Sequence, residues 1–478
     1  MPEYMKMLAG AALAGLAGCA AGPDYVRPGI AVPAQFVATA APDPATGTPT
    51  EVVLAPGVDP AFWRGLGDPE LAQLVEAALA ANHDLRIALA NHDRAQALLR
   101  GARFDRYPTV TAGGAASNLR TSDGEAPGLA RADRDADAFS AGIDASWELD
   151  LFGRVRRNLE AQRADLAASA ADLGAVQVAI VGTVAQAYME LRGLQERLRV
   201  AQANAANQRE TLRLVEARLA AGRGTDFDTS RARAQLETTL ARIPALESTI
   251  AVTMHRLAVL TGREPDALTA GLSGATALPA LPARIDPGTP GELLRRRPDV
   301  IAAESRLHAA TARIGIATAD FFPRFTLAGL IGTRAIDTSA LFERDSETRL
   351  AALGVDWSFL DVGRVRARVA AANADAGAAL AAYERSVLLA LEDTENALVR
   401  VAKARVEDAH LERAAEDSTT AARLARLRFE AGAVDLLDVL DAERTRLAAQ
   451  DAFADARMRS ATATVTLYRA LAGGYGSP

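Results

Sequence analysis

Lysine is nearly absent from this chain. Of 53 basic residues only Lys6 and Lys403 are lysines. The rest are arginines, and 60 acidic residues bring the formal charge to −7. A mildly acidic chain without a basic patch gives no footing for nucleic acid. Cysteine occurs once, at Cys19, which excludes an internal disulfide. The five histidines, His83, His92, His255, His308 and His410, never fall at i, i+4 or beside clustered carboxylates. Such spacing offers no zinc or iron site, so no metal is expected. A nucleophile elbow and a phosphate-cradling glycine loop are also missing; no catalytic residues and no enzyme activity are expected. Aromatics make up only 5% of the chain, although hydrophobic residues reach 49%, much of it alanine. Small apolar side chains suit closely packed helices better than a bulky core.

Behind Lys6 runs a short apolar stretch, Leu8 to Ala17. It is too short to cross a bilayer as a helix and reads as a signal peptide over residues 1–18. Glu3 is awkward in such a leader, and a start at Met5 would be cleaner. The small-residue pattern Leu16-Ala17-Gly18 lands on the single Cys19. It resembles a bacterial lipobox, which implies a covalent lipid on Cys19; a chance cysteine in the leader is the plainer reading. Ala20 follows, instead of the aspartate of an inner-membrane retention signal, which points to the outer membrane. Residues 19–67 are rich in proline and read as an extended, surface-wrapping segment.

The rest of the chain is written twice. Trp147, Gly153, Arg154, Val155 and Arg156 recur as Trp357, Gly363, Arg364, Val365 and Arg366, a displacement of 210 residues. The same displacement brings Arg218 onto Arg428, Gly222 onto Gly432 and Asp228 onto Asp438. Upstream, an offset of 215 superimposes Asn82-His83-Asp84 on Arg297-Pro298-Asp299 and Pro108 on Pro323. Two quasi-equivalent halves follow, residues 68–264 and 292–473, with a connector over 265–291 and a tail over 474–478.

Within each half the period changes twice. Asp68 and Pro69 open a helix whose apolar pattern holds from Leu71 to Phe104. After Pro108 a period of two takes over. Phe139, Ala141, Ile143, Ala145, Trp147 and Leu149 alternate with Ser140, Gly142, Asp144, Ser146 and Glu148. Leu353, Val355, Trp357 and Phe359 repeat the pattern, with preceding strands at Thr109 to Ala116 and Phe325 to Ile331. Each half thus supplies a hairpin of strands with one apolar and one polar face. Strands of this length cross an outer membrane when tilted, and the two tryptophans fit an interfacial girdle. An ordinary soluble hairpin shows the same alternation.

From Arg154 to about Ala221, and from Arg364 to about Ala431, there is no proline and the apolar spacing is helical. A helix of that length extends about 100 Å. Each rod ends at a glycine, Gly222 or Gly432, and a returning helix follows, with Pro244 set to bend the first. Four strands alone leave open edges that cannot face lipid, so the chain must associate to close a barrel. The rods would then continue that barrel as a tube.

The chain resembles the TolC/OprM-like outer-membrane efflux factors, specifically their NodT-type lipoproteins. The resemblance spans the mature chain. It is carried by Cys19 to Tyr25 with Arg27-Pro28, Phe62-Trp63, Gly67-Asp68-Pro69, Asp150 to Arg154, and above all Arg297-Pro298-Asp299-Val300 through Glu304 to Phe322-Pro323. It implies a homotrimer, with a twelve-stranded barrel continued by an α-helical barrel. It also implies a periplasmic adaptor, an inner-membrane transporter and a passive export duct in the outer membrane, extending into the periplasm. By the same resemblance the tips around Arg218, Gly222, Arg428 and Gly432 dock the adaptor. Asp228, Asp438 and Asp441 would ring a gate, with Phe429 and Val434 standing where the TolC lock has a tyrosine and an arginine. Closure here would then rest on apolar packing of Phe429, Val434 and Leu437. For the aspartates, helix-dipole stabilisation is the plainer reading. For the whole chain, the other reading is a poreless trimeric coiled-coil lipoprotein of structural or adhesive role.

Overall fold

An aspartate and a proline open the first long helix. The computed structural model of the chain describes residues 20–37 and 61–474; Cys19 and the signal peptide lie outside the described residues. Asp68 accepts from the backbone N–H of Glu70 and Leu71 at 2.9 and 3.0 Å, and Pro69 stands at the first position of α1 (Pro69–Ala81). Together they satisfy the orphan donors of the first turn.

The helical pattern from Leu71 to Phe104 is not one helix. Asn82 is extended (ψ 132°) between α1 and α2 (His83–Phe104). Its side chain accepts from Asp84 and Leu85 N–H while its Nδ2 donates to Leu260 O at 2.9 Å. A short amide that can bond the backbone competes with the helix and restarts it. Periodicity does not register that break.

Four strands follow in two pairs, β1 (Thr109–Arg120) with β2 (Asp135–Leu149), then, later in the chain, β3 (Arg324–Ala335) with β4 (Glu347–Asp356). They form one antiparallel sheet of order β1-β2-β3-β4, because β2 also pairs with β3. The register aligns one face across all four strands. Val110 lies opposite Ala145, which lies opposite Gly329; Trp147 meets Leu327, and Leu327 meets Leu353. The other face carries Thr109, Thr111, Asp144, Ser146, Thr326 and Asp356. Ile331 is 75% exposed and Val110 62%, so the apolar face is bare. An uncovered apolar sheet of this extent calls for lipid as its solvent.

Trp357 lies outside β4, contrary to the alternation that places it in the strand. The ladder ends at Arg324 opposite Asp356, and the next residue on β3's side is Pro323, which has no N–H to donate. Pro108 stands in the same relation to Trp147, but there β3 holds the other side of β2 through Leu327. Both tryptophans make equivalent bonds: Trp147 Nε1 donates to Arg106 O and Trp357 Nε1 to Phe321 O, each at 3.0 Å.

Between the strand pairs run α3 (Arg154–Ala220, 67 residues), α4 (Asp226–Leu240), α5 (Arg242–Leu260), α6 (Pro290–Arg296) and α7 (Pro298–Ala319). After β4 come α8 (Val362–Glu430, 69 residues) and α9 (Leu436–Ala470). Asp150 starts α3 by accepting from Val155 and Arg156 N–H at 3.1 and 2.9 Å. Pro244 interrupts the first returning helix at Ala241, whereas α9, without proline, runs unbroken for 35 residues.

The chain divides into two compact units. The first holds the sheet with the adjoining parts of the helices: Asn91–Ala170, Ala302–Glu384 and the leading residues to Gly29. In it residues 20–27 form a strap. Ala21 N–H donates to Phe152 O at 2.9 Å, and the guanidinium of Arg157 donates to Ala21 O and to Asp24 at 3.1 and 2.7 Å. A Cβ on Gly22 would lie 2.5 Å from the Gly315 backbone, so only glycine allows that crossing. Tyr25 stacks on His308 at 4.3 Å. Burial, then the Glu304 carboxylate, push its phenol up to about 12.

The second unit holds Ile30–Ala90, Ala171–Ile301 and Arg385–Pro478. Its main core joins Phe62, Trp63, Leu71, Val75, Val181, Val184, Tyr188 and Leu257. Beside it Phe36 is buried among Leu293, Val401, Leu467 and Leu471. Fully buried Arg192 reaches Glu70, Gln195 and Gly274 O, which ties the start of α1 and the connector to α3. Toward the far ends of the rods polar side chains, Asn204, Gln208 and Thr211 on α3, Thr229 on α4 and Ser418 on α8, are buried beside Val215, Leu236, Phe429 and Val439.

Candidate functional site: the two hairpin tips

Each rod turns back through the same device. Gly222 N–H donates to Leu219 O at 2.9 Å and Arg223 N–H to Arg218 O at 2.9 Å. In the second half, Gly432 N–H donates to Phe429 O at 2.9 Å and Ala433 N–H to Arg428 O at 2.8 Å. These are paired Schellman motifs, with Gly222 at φ 70° and Gly432 at φ 72°. Glycine is required at both for the left-handed backbone. A Cβ at either would meet nothing within 4 Å, so the constraint is conformational, not steric crowding.

The returning helices begin with reciprocal caps. Thr225 and Asp228 form a capping box on α4, with Asp228 N–H to Thr225 Oγ1 at 3.3 Å and Thr225 N–H to Asp228 Oδ2 at 3.1 Å. Asp435 and Asp438 do the same on α9. Thr225 and Asp435 are thus the N-caps, and Asp228 and Asp438 accept from the N-cap backbone N–H in return. Asp441 sits one turn further on, exposed and paired with Arg444 at 2.6 Å.

Arg218 and Phe429 meet. The guanidinium lies over the ring, 4.3 Å from its centroid, and Phe429 is 6% exposed. A contact of this kind contributes about 0.5–2 kcal/mol depending on desolvation. Val434 is half-buried, while Arg428 and Leu437 are exposed. Leu437 and its repeat equivalent Phe227 are 51% and 71% exposed. The two tips thus present apolar side chains to solvent at matching positions.

Sequence reasoning passed over the charges along the rods. Arg197 on α3 donates to Asp451 and Asp455 on α9, both at 2.9 Å. Arg297 bridges Asp299 and Asp393 and donates to Ala470 O at 3.2 Å. The Arg297-Pro298 dipeptide was a signal for a special backbone there, since a residue before proline is held extended. Nothing in the spacing of Arg197 announces its partners. Among the described residues no cluster of three or more metal-binding side chains occurs.

The family model described as outer membrane efflux protein matches residues 74–263 and 289–473. Nodulation protein T of Rhizobium leguminosarum bv. trifolii is 31% identical over 468 residues, covering 96% of this chain and 95% of that protein. Outer membrane protein OprJ of Pseudomonas aeruginosa is 33% identical over 472 residues, with 96% and 94% covered. Among solved structures, the outer-membrane channel OprN is 40% identical with a TM-score of 0.88, covering 96% of this chain and all of that one. The open state of the Neisseria gonorrhoeae MtrE outer membrane channel is 28% identical with a TM-score of 0.82, covering 96% and 99%. A two-faced sheet with a bare apolar side runs here into paired helical rods, written twice and matched end to end by channels. The chain belongs to the outer membrane efflux protein family and is an outer-membrane channel component of an efflux system.

Proposed function

We propose that three copies close a twelve-stranded barrel in the outer membrane and continue it as a helical tube into the periplasm. The observation that carries this reading is the sheet itself. β1 and β4 are each paired on one side only, and lipid does not tolerate an open edge. Joining β4 of one copy to β1 of the next satisfies both, and head-to-tail pairing of this kind closes into a ring.

The tips receive a periplasmic adaptor, which couples the duct to an inner-membrane transporter that supplies the energy. Exposed Phe227 and Leu437, at repeat-equivalent places beside Gly222 and Gly432, support an apolar docking contact. Asp228, Asp438 and Asp441 line a constriction and favour cations. Each also has a local partner: Asp228 and Asp438 belong to capping boxes, and Asp441 pairs with Arg444. Cys19 carries covalent lipid at the periplasmic face. The strap supports that placement, since Ala20 packs against Gly153 where β2 passes into α3.

Native mass spectrometry of the protein extracted in mild detergent tests the assembly. Trimers are the expected species; monomers or dimers alone would contradict the closed barrel.

A further inference from the structure

Two arginines stand on the apolar face of the sheet, and one of them has no partner. Every second residue of β1 from Val110 shares that face, and the series ends at Arg120. On β4 the series Val355, Leu353 and Ala351 leads to Arg349. Arg120 lies opposite Asp135 and forms an ion pair with it. Arg349 lies opposite Ile331, and Ile331 opposite Ile143. It is exposed, and no described side chain pairs with it. Glu347, the next residue of β4 on this face, forms no bridge to it. β1, the other strand with a free edge, has no acidic residue between Thr109 and Arg120. Closing the sheet onto β1 therefore brings no carboxylate beside Arg349.

Height in the membrane decides what this guanidinium can reach. β2 and β4 run directly into α3 and α8, so Trp147 and Trp357 mark the periplasmic edge of the apolar band. Arg349 is eight residues from Trp357, about 26 Å along an extended strand. A tilt of about 40° makes that about 20 Å of depth, against an apolar band about 25 Å tall. Its Cα thus lies just inside the outer leaflet. An arginine facing lipid is costly at mid-bilayer but tolerated near an interface, where its stem follows apolar surface and its head reaches out. The planar guanidinium matches phosphate oxygens two at a time.

We propose that Arg349 binds the phosphate of an outer-leaflet lipid whose acyl chains lie over Ile331 and Ile143. This rests on the reading that the bare face of the sheet meets lipid. Glu347, one step nearer the water, opposes an anion there and is no part of the site.

Lipid A bisphosphate is the probe, titrated into the full chain in uncharged detergent and followed by native mass spectrometry. Arg349→Gln should weaken its retention several-fold, and Glu347→Gln should leave it equal or tighter. Equal retention by wild type and Arg349→Gln would overturn the proposal. So would a matching loss in Glu347→Gln, which would make the two side chains partners of each other. Excess inorganic phosphate should not displace the lipid; displacement would mean a site for free anions. Insertion of the wild-type chain into phosphatidylcholine vesicles is measured alongside. Failure to insert defeats the membrane reading and the site with it, whereas insertion with retention unchanged in Arg349→Gln defeats the site alone.

Discussion

Asn82 Nδ2 donates to the carbonyl of Leu260 at 2.9 Å, closing the end of the first returning helix onto the start of its own half. Arg297 repeats the bond in the second half, donating to Ala470 O at 3.2 Å. Asn82 is 4% exposed and Arg297 9%. Two different side chains therefore do one job at quasi-equivalent places. Asn82→Ala removes a helix cap and leaves a buried carbonyl without its donor. It should cost about 1–3 kcal/mol. Arg297→Ala should cost more, because it also strips a charged partner from Asp299 and Asp393. Thermal unfolding of the purified protein checks both, and equal small shifts would contradict the reading.

The tip glycines give a second prediction. A side chain at Gly432 meets no neighbour but must adopt φ 72°, which costs about 1–2 kcal/mol for an L-residue. Gly432→Val should leave assembly near normal and abolish efflux in cells that carry the cognate pump. Loss of assembled protein in the membrane fraction would make the residue's role one of folding only.

Asp408 supplies a prediction on pH. Burial holds its carboxyl above the ordinary range, with Glu412 and Glu407 adding to the effect and Arg457 opposing it. Its folded pKa therefore exceeds the unfolded value near 3.9. Such a group binds its proton more tightly when folded. Its contribution is fully present below the unfolded pKa and is lost as pH rises through the folded one. Asp408→Asn should raise the melting temperature at neutral pH, with the gain vanishing below about pH 4. A gain that persists undiminished in acid would place its cause elsewhere.

Anchoring gives a fourth. Mass spectrometry of the mature amino terminus should find lipid on Cys19. Cys19→Ala behind a cleavable signal should lower assembly efficiency while the barrel still inserts, since one acyl chain binds a membrane only reversibly. An unmodified Cys19 would end the lipoprotein reading.

Much of the fold was legible because it depends on period and repetition. The alternation in β2, the proline-free rods and the tip glycines all register in a single pass along the chain. The break at Asn82 was not, since its cause is one amide bonding its own backbone against a continuing helical pattern. Trp357 was misplaced because the strand's end is fixed by Pro323, which lies across the sheet. The strap was read as extended, but Gly22 against Gly315 and Tyr25 against His308 depend on residues nearly 300 positions apart. At the tips the sequence named the residues without their partners. Arg218 and Phe429 were both singled out, and nothing in their spacing said that they touch. Arg197, Asp451 and Asp455 resembled the solvated charges of any long helix.

A channel of this kind conducts through the space its rods enclose. Purified protein reconstituted in a planar bilayer should give discrete single-channel steps that prefer cations. Asp438→Ala/Asp441→Ala should lower that preference and relieve block by multivalent cations. Trimers that insert yet carry no current under any applied potential would contradict the account and leave a poreless coiled-coil lipoprotein in its place.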